Sequence, residues 1–505
     1  MKNDIDALPN DPELLKKLLL EMSVKCAHFE EMFRVAQNKQ FGKSSEVCPD
    51  QGDFFNEAEH VSDEELNSDL EQEEPEAASP QRKKPTRSKL PMDTLRETII
   101  YDISDDEKQC DCCGHELHKM GKDKSEKLEF VPAQIKVVEH VRPKYSCRNC
   151  EKTSIKVVIK QAPLPPSIIP KSFATPSLLS QIITSKYQYA LPLYRQESMF
   201  KQYGIALSRQ TMSSWALKCA EILKPLYQHL HQVLLQQRVI HADETTVNVL
   251  ASEKSKCYMW LYCTGSDSPA NSAQATSNPK IVLYDYHASR ASACAIELLQ
   301  GYSGYLQVDG YQGYASTKAT LVGCWAHARR KFIEADVAQG KGKSGKANFA
   351  VNFIKKLYRI EIKIKELSPE EKYDYRQEHA KPLLNEFHVW LIKSSEQVLP
   401  KTALGKALSY NLNQWPKLIH YLEDGELNID NNRAERAIKP FVIGRKNWMF
   451  SNTAKGAEAS AVLYSLIETA KSNGLVPFDY LHHILKELGE GKPNAEDLLP
   501  WNVSL

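Results

Sequence analysis

The chain has 505 residues, 42% of them apolar, with 65 Lys plus Arg against 64 Asp plus Glu and 12 Cys. That length suits three or four folded units, and the apolar share excludes disorder throughout. No stretch approaches the ~18 consecutive apolar residues of a membrane span, and the opening MKNDIDALPNDPELL is acidic where a secretory leader is basic then apolar, so a cytoplasmic chain with reduced thiols is expected.

The net charge of +1 conceals an asymmetry. Residues 1–80 carry −13, whereas residues 81–505 hold 58 basic against 44 acidic side chains. The longer part can attract a polyanion that the first part repels.

In chain order, residues 1–48 contain apolar positions Leu15, Leu18, Met22, Phe29, Met32 and Ala36 at a 3-4 spacing, with Asp11 as N-cap and Pro12 in the first turn. This predicts an amphipathic, zipper-like helix that either docks on its own protein or pairs two chains; Lys25 and Lys39 on the seam weaken the second reading. Residues 49–94 read as a linker, acidic and then basic from Arg82 to Lys89.

Residues 95–160 form a small strand-rich unit with two cysteine pairs, Cys110 with Cys113 and Cys147 with Cys150, separated by 33 residues. Two such knuckles converging on one point supply the tetrahedral thiolate shell of a structural Zn²⁺. Cys112, His115 and His118 lie close enough in sequence to substitute as ligands.

Residues 161–235 read as a helical DNA-binding segment. A helix near Arg195–Gln202, a turn at Gly204 and a second helix capped by Ser208 have the layout of a helix-turn-helix, with Arg209, Gln210 and Ser213 at its leading end.

From residue 236 to 329 strand-like runs alternate with helical ones, predicting a mixed sheet with flanking helices. Asp243 lies inside the strand-like RVIHADETTVNV, beside Glu244, and either acid can be the inward one. The apolar strand in GYLQVDGY ends at Asp309, and Glu435 lies in the helical NNRAERAIKP, beyond a charged helical insertion at 330–425. An acid within an apolar strand costs free energy unless compensated, and a divalent cation compensates it. Three such carboxylates can hold two Mg²⁺, with Mn²⁺ as a substitute, for phosphoryl transfer. Arg433, Arg436, Arg445 and Lys446 flank the third acid and are candidate phosphate contacts, while Trp325 and Trp448 are either core aromatics or surfaces for stacking an unpaired base. Residues 426–490 complete the core and end in helix, and residues 491–505 form a tail.

The blocks FGKSSE, FNEAE, CxxCG, YxCxxC, HADETTV, VDGYQGY, GCWAHARRKF and DNNRAERAIKPFVIGRKNWMF resemble, in order, those of the transposases of the IS66 insertion-sequence family. The resemblance runs over nearly the whole chain. It implies a multidomain α/β protein with an RNase H-like catalytic core and a DDE triad falling on Asp243, Asp309 and Glu435. It further implies a helical insertion before the Glu, a zinc-binding domain, a helical DNA-binding segment and an N-terminal zipper-like helix. The implied partners are DNA at transposon ends and target, a second copy of the chain on DNA, and small accessory transposition proteins, which places the protein at the nucleoid. Cys324 and His327 form a CxxH similar to one in related enzymes with helical insertions. The competing readings are an inert DNA-binding regulator and an RNase H-like nuclease without strand transfer.

Overall fold

The computed structural model describes residues 11–41, 98, 134–146, 159–163, 166–254, 256–264, 279–339, 345–491, 494–503 and 505. The chain divides into two compact units, residues 1–70 with 144–505, and residues 71–143. In the second unit, the described residues 98 and 134–143 take no regular secondary structure and are largely exposed. The four candidate zinc ligands Cys110, Cys113, Cys147 and Cys150 lie outside the described residues. Strand β1 (Lys144–Ser146), which ends just before Cys147, pairs antiparallel with β2 (Ile159–Gln161), which precedes the helical segment.

Helix α1 (Pro12–Phe41) starts where the Asp11 carboxylate accepts the Glu13 N–H at 3.1 Å. Leu18, Met22, Phe29 and Met32 on it are exposed, while Arg34 Nη1 donates to the Ala338 carbonyl at 3.4 Å. Helices α2 (Pro176–Tyr187), α3 (Leu193–Gln202) and α4 (Arg209–Leu235) follow the hairpin. Thr175 and Ser208 cap α2 and α4 through hydrogen bonds from Leu178 N–H and Thr211 N–H, each worth about 1 kcal/mol.

The sheet contains β3 (Val239–Val247), β4 (Cys257–Cys263), β5 (Val282–His287), β6 (Tyr305–Gln307) and β7 (Thr320–Val322) in the order β5-β4-β3-β6-β7. β3, β4 and β5 form an antiparallel meander, and β6 and β7 run parallel to β3. The centre of the meander, CYMWLYC, has no charged side chain and is almost wholly buried, which requires cover on both faces.

Successive strand residues point to opposite faces. Leu261 lies opposite both Asp243 and Tyr284, and Tyr284 packs on Phe441 of α11 (Asn432–Trp448) and Tyr464 of α12 (Ala454–Ser472). Trp260, one residue away, faces Tyr311 and Tyr314 beside α5 (Ser292–Leu298). The edge of β5 is closed by side chains: Ser465 Oγ accepts the Tyr284 N–H at 2.8 Å, and Thr469 Oγ1 accepts the Val282 N–H at 3.0 Å while donating to its carbonyl. Those hydroxyls take the place of a sixth strand.

A second hydrophobic core lies in the helices between β7 and α11. These are α6 (Trp325–Gln339), α7 (Lys346–Lys363), α8 (Pro369–Tyr375), a π-helical turn at Arg376–Ala380, α9 (Lys381–Glu396) and α10 (Ala403–Leu418). Phe387 stacks on Phe353 and Trp390, and Trp325 packs edge-on against Trp415. Trp325 is fully buried with Nε1 donating to the Leu418 carbonyl, so it is a core residue and not a stacking surface for a base. Helix α13 (Pro477–Glu490) packs against α2 and α12.

Candidate active site

Asp243 sits midway along β3, and β6 has ended by the level it reaches. His241 pairs with Gln307, the last residue of β6, so Asp309 continues from that strand's end alongside Asp243. The crevice outside the carboxyl ends of parallel strands is where open α/β sheets collect ligands. Asp309 Oδ1 accepts the Tyr311 N–H at 2.8 Å, which fixes the turn. Gly310 lies so close to α10 that an added Cβ would meet Tyr410 Oη at 2.7 Å, and the helical insertion therefore touches the Asp309 turn.

Glu435 comes from the first turn of α11. The loop that delivers it is fastened to the sheet by buried polar contacts. His241 Nδ1 and Asn431 Oδ1 are 3.1 Å apart, Asn431 Nδ2 donates to the Ala242 carbonyl at 2.9 Å, and the Asn431 N–H reaches Cys324 Sγ at 3.2 Å. Gln307 Nε2 donates to the carbonyls of Asn428 and Asp430. Buried networks of this kind fix one geometry because every broken bond strands a polar group.

The electrostatics tie the three acids together. Burial pushes the Asp243 carboxyl well above the ordinary carboxylate range, and the negative charges of Glu244, Glu435 and Asp309 push it further. Glu435 Oε1 is buried without a hydrogen-bond partner among the described residues, 3.6 Å from an equally unbonded His327 Nδ1. Burial lowers the His327 pKa, which disfavours an imidazolium as the counter-charge. As the side chains stand, no three His, Cys, Asp or Glu among the described residues converge closely enough to hold a metal ion. The donor set nevertheless suits a hard divalent cation, since one would relieve both the repulsion at Asp243 and the bare oxygen of Glu435.

Glu244 projects to the other face of the sheet. Its Oε1 takes both Nε and Nη2 of Arg290, and its Oε2 accepts the Tyr314 hydroxyl at 2.6 Å. With both oxygens engaged, Glu244 is committed to these partners, and Asp243 is the acid that faces Glu435.

The four basic candidates around Glu435 divide. Arg436 and Lys446 are exposed. Arg433 donates through Nε and Nη2 to the Thr264 carbonyl, and Arg445 is held by Thr245 Oγ1 and by the hydroxyl and carbonyl of Thr246. These two guanidiniums brace α11 against the sheet. Trp448 packs edge-on against Phe441.

In the helical segment, α3 leads through Gly204 at φ +77° into α4, a backbone conformation that glycine adopts without strain. Arg209, Gln210 and Ser213 are exposed on the first turns of α4, and the Arg209 N–H donates to Glu197 Oε1 at 3.1 Å. Sequence reasoning missed Arg290, which carries no local motif, and the fastening role of His241, Gln307 and Asn431.

Residues 171–459 match a family described as Transposase IS66 family. Residues 107–151 match the zinc-finger binding domain of transposase IS66, residues 28–99 Transposase C of IS166 homeodomain, and residues 465–501 the IS66 C-terminal element. Among relatives, the uncharacterized protein y4jD of Sinorhizobium fredii is 32% identical over 98% of this chain and 97% of its own length. The uncharacterized proteins y4hP and y4qI of the same organism are 33% and 31% identical, over 83% and 97% of this chain and 77% and 91% of theirs. No solved structure matches. No helix among the described residues is long and apolar enough to cross a membrane.

Proposed function

The chain belongs to the IS66 family of transposases, and from that premise we propose that it binds the ends of an insertion sequence, cleaves there, and joins the freed 3′-hydroxyl to target DNA. The observation that carries this reading is that Asp243 on β3, Asp309 just past the end of β6 and Glu435 in the first turn of α11 lie near enough for the charges of the last two to raise the Asp243 carboxyl. The strand order β5-β4-β3-β6-β7, in which β4 alone runs against the others, supports an RNase H-like core.

In this reading Asp243, Asp309 and Glu435 are the ligands of divalent cations, two Mg²⁺ or Mn²⁺. Bound there, such cations would supply Lewis-acid polarisation of the scissile phosphate and help ionise the attacking oxygen. The chain's own part is positional. The Asn431 network holds Glu435 toward the sheet, the Tyr311 N–H orients Asp309, and β3 fixes Asp243. In the first step a water oxygen attacks phosphorus and the 3′ oxygen leaves with a proton; in the second, that 3′-hydroxyl attacks a target phosphodiester and displaces the target's 3′ oxygen.

The remaining assignments follow the same premise. Residues 95–160 hold one structural Zn²⁺ through Cys110, Cys113, Cys147 and Cys150. Arg209, Gln210 and Ser213 read DNA from α4, while Arg436 and Lys446 contact phosphates beside Glu435, with Arg433 and Arg445 supporting them from behind. Residues 330–425 serve as the insertion that steadies the Asp309 turn. The protein works at the nucleoid as a homo-oligomer on DNA, with small accessory proteins as partners.

Asp243→Asn tests the reading. Strand cleavage and joining in Mg²⁺ should vanish while DNA binding persists; cleavage at the wild-type rate would overturn it.

A further inference from the structure

Arg290 lies just past β5 and before α5, with no place in the acid cluster or the fastening network. Its guanidinium is held from two sides and its backbone from a third. Nε and Nη2 share Glu244 Oε1, the planar group stacks 3.8 Å over the Tyr311 ring, and the Tyr311 hydroxyl donates to the Arg290 carbonyl. Tyr311 is itself hydrogen-bonded through its N–H to Asp309. The Glu244 side chain is 2% exposed while that of Arg290 is 42% exposed.

Neutralising Glu244 is one use for this arginine. It explains the two nitrogens that face the carboxylate. It does not explain why a half-exposed side chain is also stacked and backbone-anchored, because a salt bridge alone needs neither. Nη1 has no partner among the described residues, and a guanidinium with one edge fixed on a carboxylate keeps another edge whose geometry matches a phosphate. The rotamer entropy that an arginine normally loses on binding has already been lost in the folded protein.

We propose that Arg290 is a DNA-phosphate contact: Glu244 and Tyr311 hold its guanidinium beside the Asp309 turn, where its open edge takes a backbone phosphate near the linkage reached by Asp243 and Asp309. This deepens the transposase reading and rests on DNA crossing the carboxyl ends of β3 and β6. Glu244 is then a positioning residue for Arg290, and the acidic pair Asp243-Glu244 splits into one cation ligand and one arginine holder on opposite faces of the same strand.

The test is the salt dependence of binding by the full-length chain to a labelled 40-base-pair duplex with one recessed 3′ end, in Ca²⁺ so that binding is read without turnover. Arg290→Ala should weaken binding roughly tenfold and lower the slope of log K against log salt by about one, while Arg290→Lys restores the slope without the full affinity. Because Arg290→Ala strands a buried carboxylate, the double variant Glu244→Gln with Arg290→Gln removes both charges and keeps the fold testable. It should show the same loss of slope. Wild-type slope and affinity in the double variant would overturn the proposal. That outcome leaves the enzyme reading standing, since Asp243→Asn tests it separately by cleavage.

Discussion

Glu435 Oε1 and His327 Nδ1 face each other at 3.6 Å, both buried and neither hydrogen-bonded among the described residues. A carboxylate oxygen with no donor costs about 1–3 kcal/mol relative to a satisfied one. The fold tolerates that cost at the place where α11 brings its acid to the sheet, which is the pattern of a site organised for a ligand and not for stability.

Replacing the acid by its neutral isostere separates the two roles. Glu435→Gln should lower strand cleavage on the order of a hundredfold or more, yet leave the unfolding temperature in EDTA unchanged or raised. Added Mg²⁺ should raise the unfolding temperature of the wild type and raise that of the variant less, because a ligand stabilises only the state that binds it. Loss of cleavage together with a sharp fall in stability in EDTA would show that Glu435 serves packing.

A different kind of buried charge holds the insertion together. Arg376, 2% exposed, forms a two-nitrogen ion pair with Glu361 and donates to the carbonyls of Tyr421, Asp424 and Leu427. Arg376→Ala should cost about 3–5 kcal/mol in chemical denaturation, because Glu361 and three carbonyls lose their donor at once. Glu361→Gln alone should cost less, since the three carbonyl bonds survive. Equal costs would place the energy in the ion pair and not in the carbonyl clamp.

Where the three acids fall on the fold was legible because each interrupts a pattern: Asp243 breaks an apolar alternation, Asp309 ends an apolar run, and Glu435 lies at the start of a helix after the polar NIDNN. The charges around them were not. Arg433 and Arg445 read as phosphate contacts because a sequence displays charge without direction; folded, both are spent on Thr264, Thr245 and Thr246 across some 170 to 200 residues of chain. Arg290 finds Glu244 46 residues away, with no local signal at either end. Trp325 was ambiguous for the same reason, since burial belongs to the neighbours that α9 and α10 later supply.

At the edge of the sheet, His287 Nε2 donates a 2.6 Å hydrogen bond to Asp285 Oδ2, and that bond is the main cause of a raised imidazole pKa. A group whose folded pKa lies above its unfolded value adds stability that is fully present below the unfolded value and is lost as pH rises through the folded one. The unfolding temperature should therefore fall as pH climbs from below the ordinary histidine range through the raised value. Asp285→Asn should flatten that part of the profile. An unchanged profile would assign the pH dependence to other groups, such as Glu468, whose carboxyl is also raised by burial.

The cysteine quartet can be resolved ligand by ligand. A structural site should bring one zinc per chain, and binding free energy of about 10–16 kcal/mol makes the metal inseparable from the fold of its small domain. Cys147→Ser should release the metal and expose residues around it to proteolysis, with loss of DNA affinity. Because the fragment CDCC offers Cys110 and Cys112 as rivals, single serine substitutions decide between them. Cys110→Ser should abolish stoichiometric zinc and Cys112→Ser should retain it. The reverse result would move the first knuckle by two residues, and retention in both would bring His115 or His118 into the shell, since four donors are needed to close it.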